Sequence, residues 1–431
     1  MLKKSHLRIT ALLVALVILC TCICSCAQTA DEDYGLDANT VTMRLDADET
    51  IPSFDKDLFY SVEICFESYY YTDLPDNETL ADGTKTAFVE LCADVDKTSL
   101  IDVTRALIDC YIYAIGDKYS YYRTADEYED YTTDMSGSFI GIGVSVLRDD
   151  LQNTILVKSV EPNSPAYNAG ILPDDYIVAV DGVRVYETGT LAAINSIKGE
   201  EGTEVSVTVL RGQTEITFTM IRERITETTV TYRVIDGTSF GYVKISSFKS
   251  TTSPQFLAAV RALEEKEVTG IIFDLRGNPG GYLSAVQSML SFLVPTGTLI
   301  ASFSSSKAPL YATNGGIYET DDHVLNVPSV VICNDTSASG AELFTGAMRD
   351  YNDMGLLKST IIGQTTYKKG IMQSTIPFTD GSTLTLTTAL YNPPSGQNFH
   401  GIGVSPDVFV NEGEDYMQTA LNELTKLTMN N

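Results

Sequence analysis

The sequence predicts a multidomain α/β protein, with an N-terminal helical segment, a mostly β middle segment and an α/β C-terminal core. Three observations carry this prediction. The chain has 431 residues, more than one hydrophobic core ordinarily serves. At Ser136 its texture changes, from apolar residues at helical spacing to short β-type runs. From about Ile225 onward, strand and helix patterns alternate, as in a layered α/β core.

Residues 1–26 read as an export signal. Lys3, Lys4 and Arg8 form a basic start, and Ile9 to Ile23 is an apolar run, short for a membrane span. Ile23-Cys24-Ser25-Cys26 resembles a bacterial lipobox, which implies Cys26 as the lipidated first residue of the mature chain. Leu19-Cys20-Thr21-Cys22 fits nearly as well, and an uncleaved membrane anchor is the competing reading. Each implies an extracytoplasmic protein held at the bacterial cell membrane. Residues 27–50 are acidic and polar and read as a tether. Residues 51–135 read as helical, with Leu100, Val103, Leu107, Ile108 and Tyr111 at helical spacing.

Residues 136–224 carry β-type runs at Gly143–Leu147, Ile155–Val160, Tyr176–Val180 and Val205–Leu210. Turn residues such as Asn163, Pro165, Asp174 and Gly182 separate them. Residues 225–431 then alternate. Strands are expected at Phe240–Ile245, Thr269–Leu275 and Pro328–Cys333, and helices at Ser253–Lys266, Tyr282–Leu293 and Ala341–Tyr351.

The formal net charge is −28. Such a chain repels polynucleotides, so no nucleic-acid partner is expected. Beyond the signal only Cys65, Cys92, Cys110 and Cys333 remain, with no Cys-x-x-Cys or Cys/His spacing for a metal. Neither a metal nor a cofactor is expected.

In the middle segment Phe139, Ile140, Gly141, Ile142 and Gly143 form an apolar, glycine-spaced loop opening a strand. Such glycines let successive backbone N–H groups converge on an anion. With Ser164-Pro-Ala-Tyr-Asn-Ala-Gly-Ile171 and Val180-Asp-Gly182 following in order, the segment resembles a protease-associated PDZ domain. The resemblance implies capture of a substrate's C-terminal carboxylate in that loop, the peptide adding as a strand to the sheet edge.

The C-terminal region holds three segments with chemical content. Asp274-Leu-Arg-Gly-Asn-Pro-Gly-Gly281 follows a buried strand and precedes a helix, so its N–H groups can face an oxyanion. Ser339, in Asn334-Asp-Thr-Ser-Ala-Ser-Gly-Ala-Glu342, sits before a helix whose positive end favours a developing alkoxide. Ser337 is the rival nucleophile, and Glu342 reads as a partner of the helix dipole. Lys369, in Thr366-Tyr-Lys-Lys-Gly-Ile-Met-Gln373, is the candidate base, with Lys368 as the alternative. An ordinary lysine is almost wholly protonated at neutral pH, so a base lysine needs a partly apolar pocket. Phe344, Ile371 and Met372 are candidates to line it. Gln373, four residues on, could orient the amine. Nothing in the sequence marks either of the two histidines after the signal, His323 and His400, as part of a triad.

These motifs, with IGDKYSYY (115–122), FGYVKISSF (240–248) and GIGVSPDV (401–408), make residues 55–410 similar to the carboxyl-terminal processing peptidases. These are Ser-Lys endopeptidases with an inserted PDZ domain. The resemblance implies a crotonase-like α/β catalytic core, Ser339 as nucleophile, Lys369 as base and Gln373 as its orienter. It places the oxyanion donors on Gly340 and on one of Gly280 and Gly281. It also implies protein or peptide substrates with free C-termini, and it leaves room for a homo-oligomer. A non-catalytic PDZ tail-binding protein with an idle core is the alternative, and an esterase or amidase on the same dyad is a third reading. Three departures stand out. Lys368 occupies a position where the family usually has glycine, the serine-to-lysine segment is longer around Asn352–Ser359, and the family's SASAS run reads SASGA.

Overall fold

The computed structural model describes residues 39–94, 102–150, 152–313, 323–411 and 413–429. The signal segment with Cys26, and most of the expected tether, lie outside them. The described residues fall into two units. One holds the chain up to Asp130 with 304–307 and 371–390; the other holds 131–303, 308–370 and Tyr391 onward.

The first unit begins with helices α1 (Val41–Asp46), α2 (Lys56–Tyr69), α3 (Asn77–Asp94) and α4 (Val103–Ile115), followed by strand β1 (Tyr121–Arg123). Helix α5 (Ala125–Ser136) runs across the boundary between the units in sequence. Side chains of Asp55 and Asp102 cap α2 and α4, accepting from Leu58 and Arg105 N–H. The expected tether is corrected here. Residues 41–46 form a helix, because Val41 and Leu45 are apolar and pack into the core formed by Phe59, Phe66, Leu107 and Tyr111. The buried Glu63 carboxylate accepts from Val41 and Thr42 N–H, at 2.7 and 3.1 Å.

The second unit contains a β-rich insertion and an α/β core. Strands β2 (Ser138–Gly141), β3 (Val144–Asp149) and β4 (Thr154–Val160) lead to helix α6 (Pro165–Ala169). Then come β5 (Tyr176–Val180), β6 (Val183–Arg184), α7 (Val185–Thr188), α8 (Thr190–Ile197), β7 (Glu204–Arg211), β8 (Thr214–Ile221) and β9 (Glu223–Thr226). The sheet runs β3-β4-β5-β7-β8, so β3 is an edge strand. Alternate residues such as Val205, Val207 and Val209 point into a closed apolar core. The insertion enters and leaves through β2 and β9, which pair antiparallel.

The α/β core comprises β10 (Val230–Val234), β11 (Phe240–Ile245), α9 (Thr252–Glu264), β12 (Gly270–Asp274), α10 (Leu283–Leu293), β13 (Leu299–Phe303) and β14 (Leu310–Tyr311). It continues through β15 (Ser329–Cys333), α11 (Gly340–Asp353) and β16 (Ser359–Gly363). One sheet runs β10-β11-β12-β15-β16 and ends on the short strand Val408–Phe409; every pairing after β10 is parallel. All residues of β12 and β15 are buried, as parallel strands covered on both faces must be. The C-terminal helix Tyr416–Met429 covers one face through Ala420 and Leu424.

Strands β17 (Ile371–Pro377) and β18 (Thr383–Asn392) pair antiparallel, and β1 pairs with β18. Residues 371–390 therefore belong to the first unit, although their sequence lies within the expected catalytic core. Leu384 and Leu386 join the helical core there.

Leu45 is buried in the first unit. Leu45→Ala is expected to destabilise that unit by about 2–5 kcal/mol. Denaturant unfolding checks this, since a true tether residue would change nothing.

Candidate active site

Parallel strands β12 and β15 end side by side, and the two loops that follow them build the site. The turn after β12 is Asp274–Gly281, and the loop after β15 is Asn334–Ser339. Two asparagines stitch them together. Asn334 Oδ1 accepts from Gly277 N–H at 3.0 Å. Asn278 accepts Ala338 N–H on its carbonyl at 2.9 Å and Gly280 N–H on its side chain at 2.8 Å. Asn278 Nδ2 donates to the Ile245 carbonyl at 3.1 Å, which ties in β11.

The glycines allow the two loops to touch. A Cβ on Gly280 would lie 2.8 Å from Ser339 Cβ and 2.9 Å from the Gly340 nitrogen. Gly281 has φ 143°, and a Cβ there would fall 2.2 Å from the Phe248 carbonyl oxygen. Phe248 brackets this glycine pair, donating its N–H to Gly280 O at 2.9 Å and accepting from Tyr282 N–H at 2.7 Å. Gly280 N–H is already donated to Asn278. Gly280, one of the expected oxyanion donors, therefore has its N–H engaged.

Ser339 is partly buried at the N-terminus of α11, with φ 54° and ψ −113°. This backbone is unusual for a residue with a Cβ and costs about 1–3 kcal/mol. Ser337 is in a different situation. It is fully buried, and its hydroxyl donates to Leu275 O at 2.9 Å and accepts from Asn334 N–H.

The lysine loop joins this arrangement through Glu342, whose side chain is completely buried. Its Oε2 accepts from Ser339 N–H at 2.9 Å and from Lys369 N–H at 2.7 Å. Its Oε1 accepts from Lys368 N–H at 2.7 Å and from Thr366 Oγ1 at 2.6 Å. One carboxylate therefore fixes the backbones of the candidate nucleophile and the candidate base. Sequence reading assigned Glu342 only to the helix dipole; its capping position two residues after Gly340 was the available signal. Tyr367 N–H adds a bond to Ser337 O at 3.0 Å. The GIGVSPDV turn closes the loop from behind, where Val404 N–H meets Thr366 Oγ1 at 2.7 Å and Gly401 N–H meets Lys368 O at 3.0 Å. Lys369 is partly buried and Lys368 is exposed.

Tyr391 is a site residue that the sequence did not reveal. Its buried hydroxyl lies 3.4 Å from Ser339 Oγ and 3.2 Å from Lys369 O. Burial pushes its pKa up, so it remains a neutral donor. Gln373 belongs to the first unit, on β17, where its Nε2 reaches Thr387 Oγ1 at 3.5 Å. Ile371 and Met372 belong to that unit too, whereas Phe344 packs beneath the site against Phe248, Phe256 and Phe273.

Beside the glycine turn, Asp274 is fully buried and accepts from Arg276 and from Tyr242 OH. Burial would raise its pKa, but Arg276 and Lys244 outweigh burial and hold the carboxyl below its ordinary value. For Lys244 the balance tips the other way, and burial lowers its pKa despite Asp274.

In the β-rich insertion, Phe139, Ile140 and Gly141 lie on β2, paired with β9, rather than in an open loop. Only Ile142 and Gly143 form the turn into β3. Their carbonyls accept from Ala166 N–H at 2.9 Å and Glu161 N–H at 2.8 Å. Lys249 ties both ends of the insertion to the core, reaching Asp134 Oδ1 at 2.8 Å and Glu227 Oε2 at 2.7 Å. Burial opposes its charge, but the two carboxylates outweigh burial and raise its pKa.

A strained serine at a helix start, a glycine turn against it and a lysine loop bracketed to the serine thus lie in an α/β core with a β-rich insertion. Comparison with known proteins gives this arrangement its class. Residues 239–410 match Peptidase family S41 and residues 156–211 match a PDZ domain. A "Probable CtpA-like serine protease" of Staphylococcus haemolyticus is 33% identical over 307 residues, 71% of this chain and 59% of that protein. Its namesake in Staphylococcus aureus (strain bovine RF122 / ET3-1) is 32% identical over 316 residues, 73% and 61%. The chain belongs to peptidase family S41 and carries a PDZ domain. It spans about 60% of the length of these curated relatives. Two solved structures share the fold at a TM-score of 0.51. One is a putative S41 protease from Bacteroides fragilis, 16% identical, covering 88% of this chain and 99% of its own. The other is a lipoprotein from Streptococcus agalactiae, 14% identical, covering 87% and 97%.

Two substitutions probe this frame. Asp274→Asn leaves Lys244 and Arg276 without their buried counter-charge and is expected to cost about 3 kcal/mol at neutral pH. Because the folded carboxyl titrates below its unfolded value of 3.8, its contribution is present above that value and is lost as pH falls through the folded one. Urea unfolding from pH 7 to 3 checks this: the gap between wild type and Asp274→Asn should narrow with acid. Glu342→Ala strands three backbone N–H groups and a hydroxyl, each costing about 1–3 kcal/mol, and should lower the melting temperature sharply.

Proposed function

We propose that the chain is a serine endopeptidase that cleaves extracytoplasmic proteins near their C-termini. The observation that carries this reading is the Glu342 carboxylate, which takes the backbone N–H groups of both Ser339 and Lys369. A bracket of this kind fixes the spacing of the serine loop and the lysine loop, as a nucleophile–base pair requires. The Lys369 amine takes the Ser339 hydroxyl proton as the serine oxygen attacks the scissile carbonyl. The tetrahedral oxyanion is stabilised by the N–H groups of Gly340 and Gly281, at the positive end of α11. The same proton then passes from Lys369 to the leaving amine, and the C–N bond breaks. Water, deprotonated by the lysine, attacks the acyl-enzyme; the ester C–O bond to Ser339 breaks, the lysine returns the proton to the serine oxygen, and the second product leaves. Gln373 orients the lysine amine, and Tyr391 helps hold the serine hydroxyl.

In this reading the PDZ domain recruits the substrate tail. The edge strand β3 offers a row of backbone groups for strand addition. The N–H side of the Ile142–Gly143 turn receives the terminal carboxylate, flanked by Phe139, Ile140 and Gly141. Export and anchoring through Cys26 place the enzyme outside the cytoplasm. No helix among the described residues is long and apolar enough to cross a membrane.

Cleavage of an unstructured protein with an apolar C-terminal tail tests the mechanism. Ser339→Ala and Lys369→Ala should each lower kcat by at least about 10⁴-fold with the melting temperature preserved, and Lys369→Arg should not restore activity, because guanidinium does not deprotonate. Full turnover by Ser339→Ala would sink the proposal. Amidating the substrate's C-terminus should raise KM; unchanged KM would remove the PDZ turn from tail capture. Tail binding without cleavage by the wild type would point instead to a binding protein with an idle core.

A further inference from the structure

Glu342 holds the candidate base from one side, by taking the N–H of Lys369. On the other side the chain runs through Gly370 towards β17, and different groups grip it there. The Tyr391 hydroxyl lies 3.2 Å from Lys369 O, and Tyr391 N–H donates to Gly370 O at 3.2 Å. Asn398 Nδ2 donates to that same Gly370 carbonyl at 3.0 Å and to Tyr391 O at 2.7 Å. Asn398 Oδ1 accepts from His400 N–H at 2.8 Å.

The Asn398 amide is matched to this place at both ends. Its two N–H bonds meet carbonyl oxygens, which only accept, and its oxygen meets an N–H, which only donates. Exchanging the two ends would set an oxygen against two carbonyls. The approach is close as well. A Cβ on the buried Gly370 would lie 3.2 Å from Asn398 Nδ2 and 2.7 Å from His400 N.

The loop that carries Asn398 is anchored to the helix that carries the serine. A Cβ on Gly346, within α11, would be 3.3 Å from Pro393 Cβ and 3.7 Å from Val404 Cγ2. Ser395 N–H donates to Oδ2 of the buried Asp350 at 2.9 Å, near the C-terminal end of that helix. Phe399 meets the Tyr391 ring edge-on at 5.4 Å. Residues 393–404 thus start from the body of α11 and reach the carbonyl next to the candidate base, while Ser339 stands at the start of the same helix.

We propose that Asn398 is a positioning residue for Lys369, locking the Gly370 and Tyr391 carbonyls so that the base is held from its C-terminal side as Glu342 holds it from the other. The inference rests on the peptidase reading above. The lysine amine sits on a flexible four-carbon stem, so a small turn of the backbone at Lys369 carries it a long way. A misplacement of about 1 Å can cost about 100-fold in rate. Tyr391 extends the effect to the nucleophile, because its hydroxyl also lies 3.4 Å from Ser339 Oγ. An amide that only stabilised its loop would change the amount of folded protein and not the turnover of what is folded.

The test combines cleavage of the unstructured substrate with labelling of Ser339 by a fluorophosphonate, at a temperature where every variant is folded. Asn398→Ala should lower kcat about 10–100-fold with KM unchanged, and labelling should slow in proportion. Asn398→Asp keeps the side-chain size and the bond from His400 N–H but turns a carboxylate oxygen towards two carbonyls. It should lose at least as much, and it carries the test should Asn398→Ala not fold. Added to Lys369→Ala, Asn398→Ala should change the residual rate by less than about twofold, because residues that act as one unit are not additive. Leu45→Ala, destabilised with its site untouched, should keep the wild-type kcat. Wild-type kcat in the Asn398 variants, a loss as large in the Lys369→Ala background, or an equal loss in Leu45→Ala overturns the proposal. A labelled, cleaving wild type matched by its Asn398 variants sinks only this role. A wild type that neither labels nor cleaves sinks the peptidase reading and this inference with it.

Discussion

The candidate site depends on one buried carboxylate. Glu342 lies in the first turn of α11 and is removed from solvent entirely. A buried charge of this kind is costly unless it is fully hydrogen-bonded, and here four donors converge on it. Three are backbone N–H groups, so what the carboxylate fixes is the path of the chain rather than a choice of side chains. The serine loop and the lysine loop both lend donors to it, and the Tyr367 N–H bond to Ser337 O is a second tie between them. Its requirement for Lys368 N–H also helps explain why that residue sits at positive φ.

Around this bracket, rigidity is supplied in layers. The parallel strands β12 and β15 bring two loop starts into register, and Asn278 and Asn334 then lock the loops to each other. Gly280 and Gly281 permit a backbone-to-backbone approach that any Cβ would prevent. Below lies the aromatic cluster of Phe248, Phe256, Phe273 and Phe344. To one side, the Asp274 network pins the glycine turn with charge. Strain at Ser339 is sustained because so many contacts over-determine it.

The insertion is coupled to this frame by few groups. Its two ends pair as β2 and β9, and Lys249 clasps Asp134 and Glu227 immediately after Phe248, the residue that brackets the glycine pair. The entry to the PDZ domain is thus one residue away from the proposed oxyanion turn.

Much of this was legible in the sequence. The strands and helices of the core followed from periodicity and turn residues, and the Gly-rich turn and the serine segment declared themselves by composition. Those signals are local, and local backbone preference is what a sequence carries directly. The sequence did not reveal that residues 41–46 would fold into the helical core, because a two-residue apolar face in an acidic stretch is too weak a pattern to outweigh composition. It did not show Phe139–Gly141 as a paired strand, since pairing depends on β9, more than eighty residues away. Nor did it show Tyr391 beside Ser339, the pairing of β17 with β18 in the helical unit, or the true work of Glu342. Each of these is a long-range contact between segments that look ordinary alone, and only the closed fold decides which of them meet.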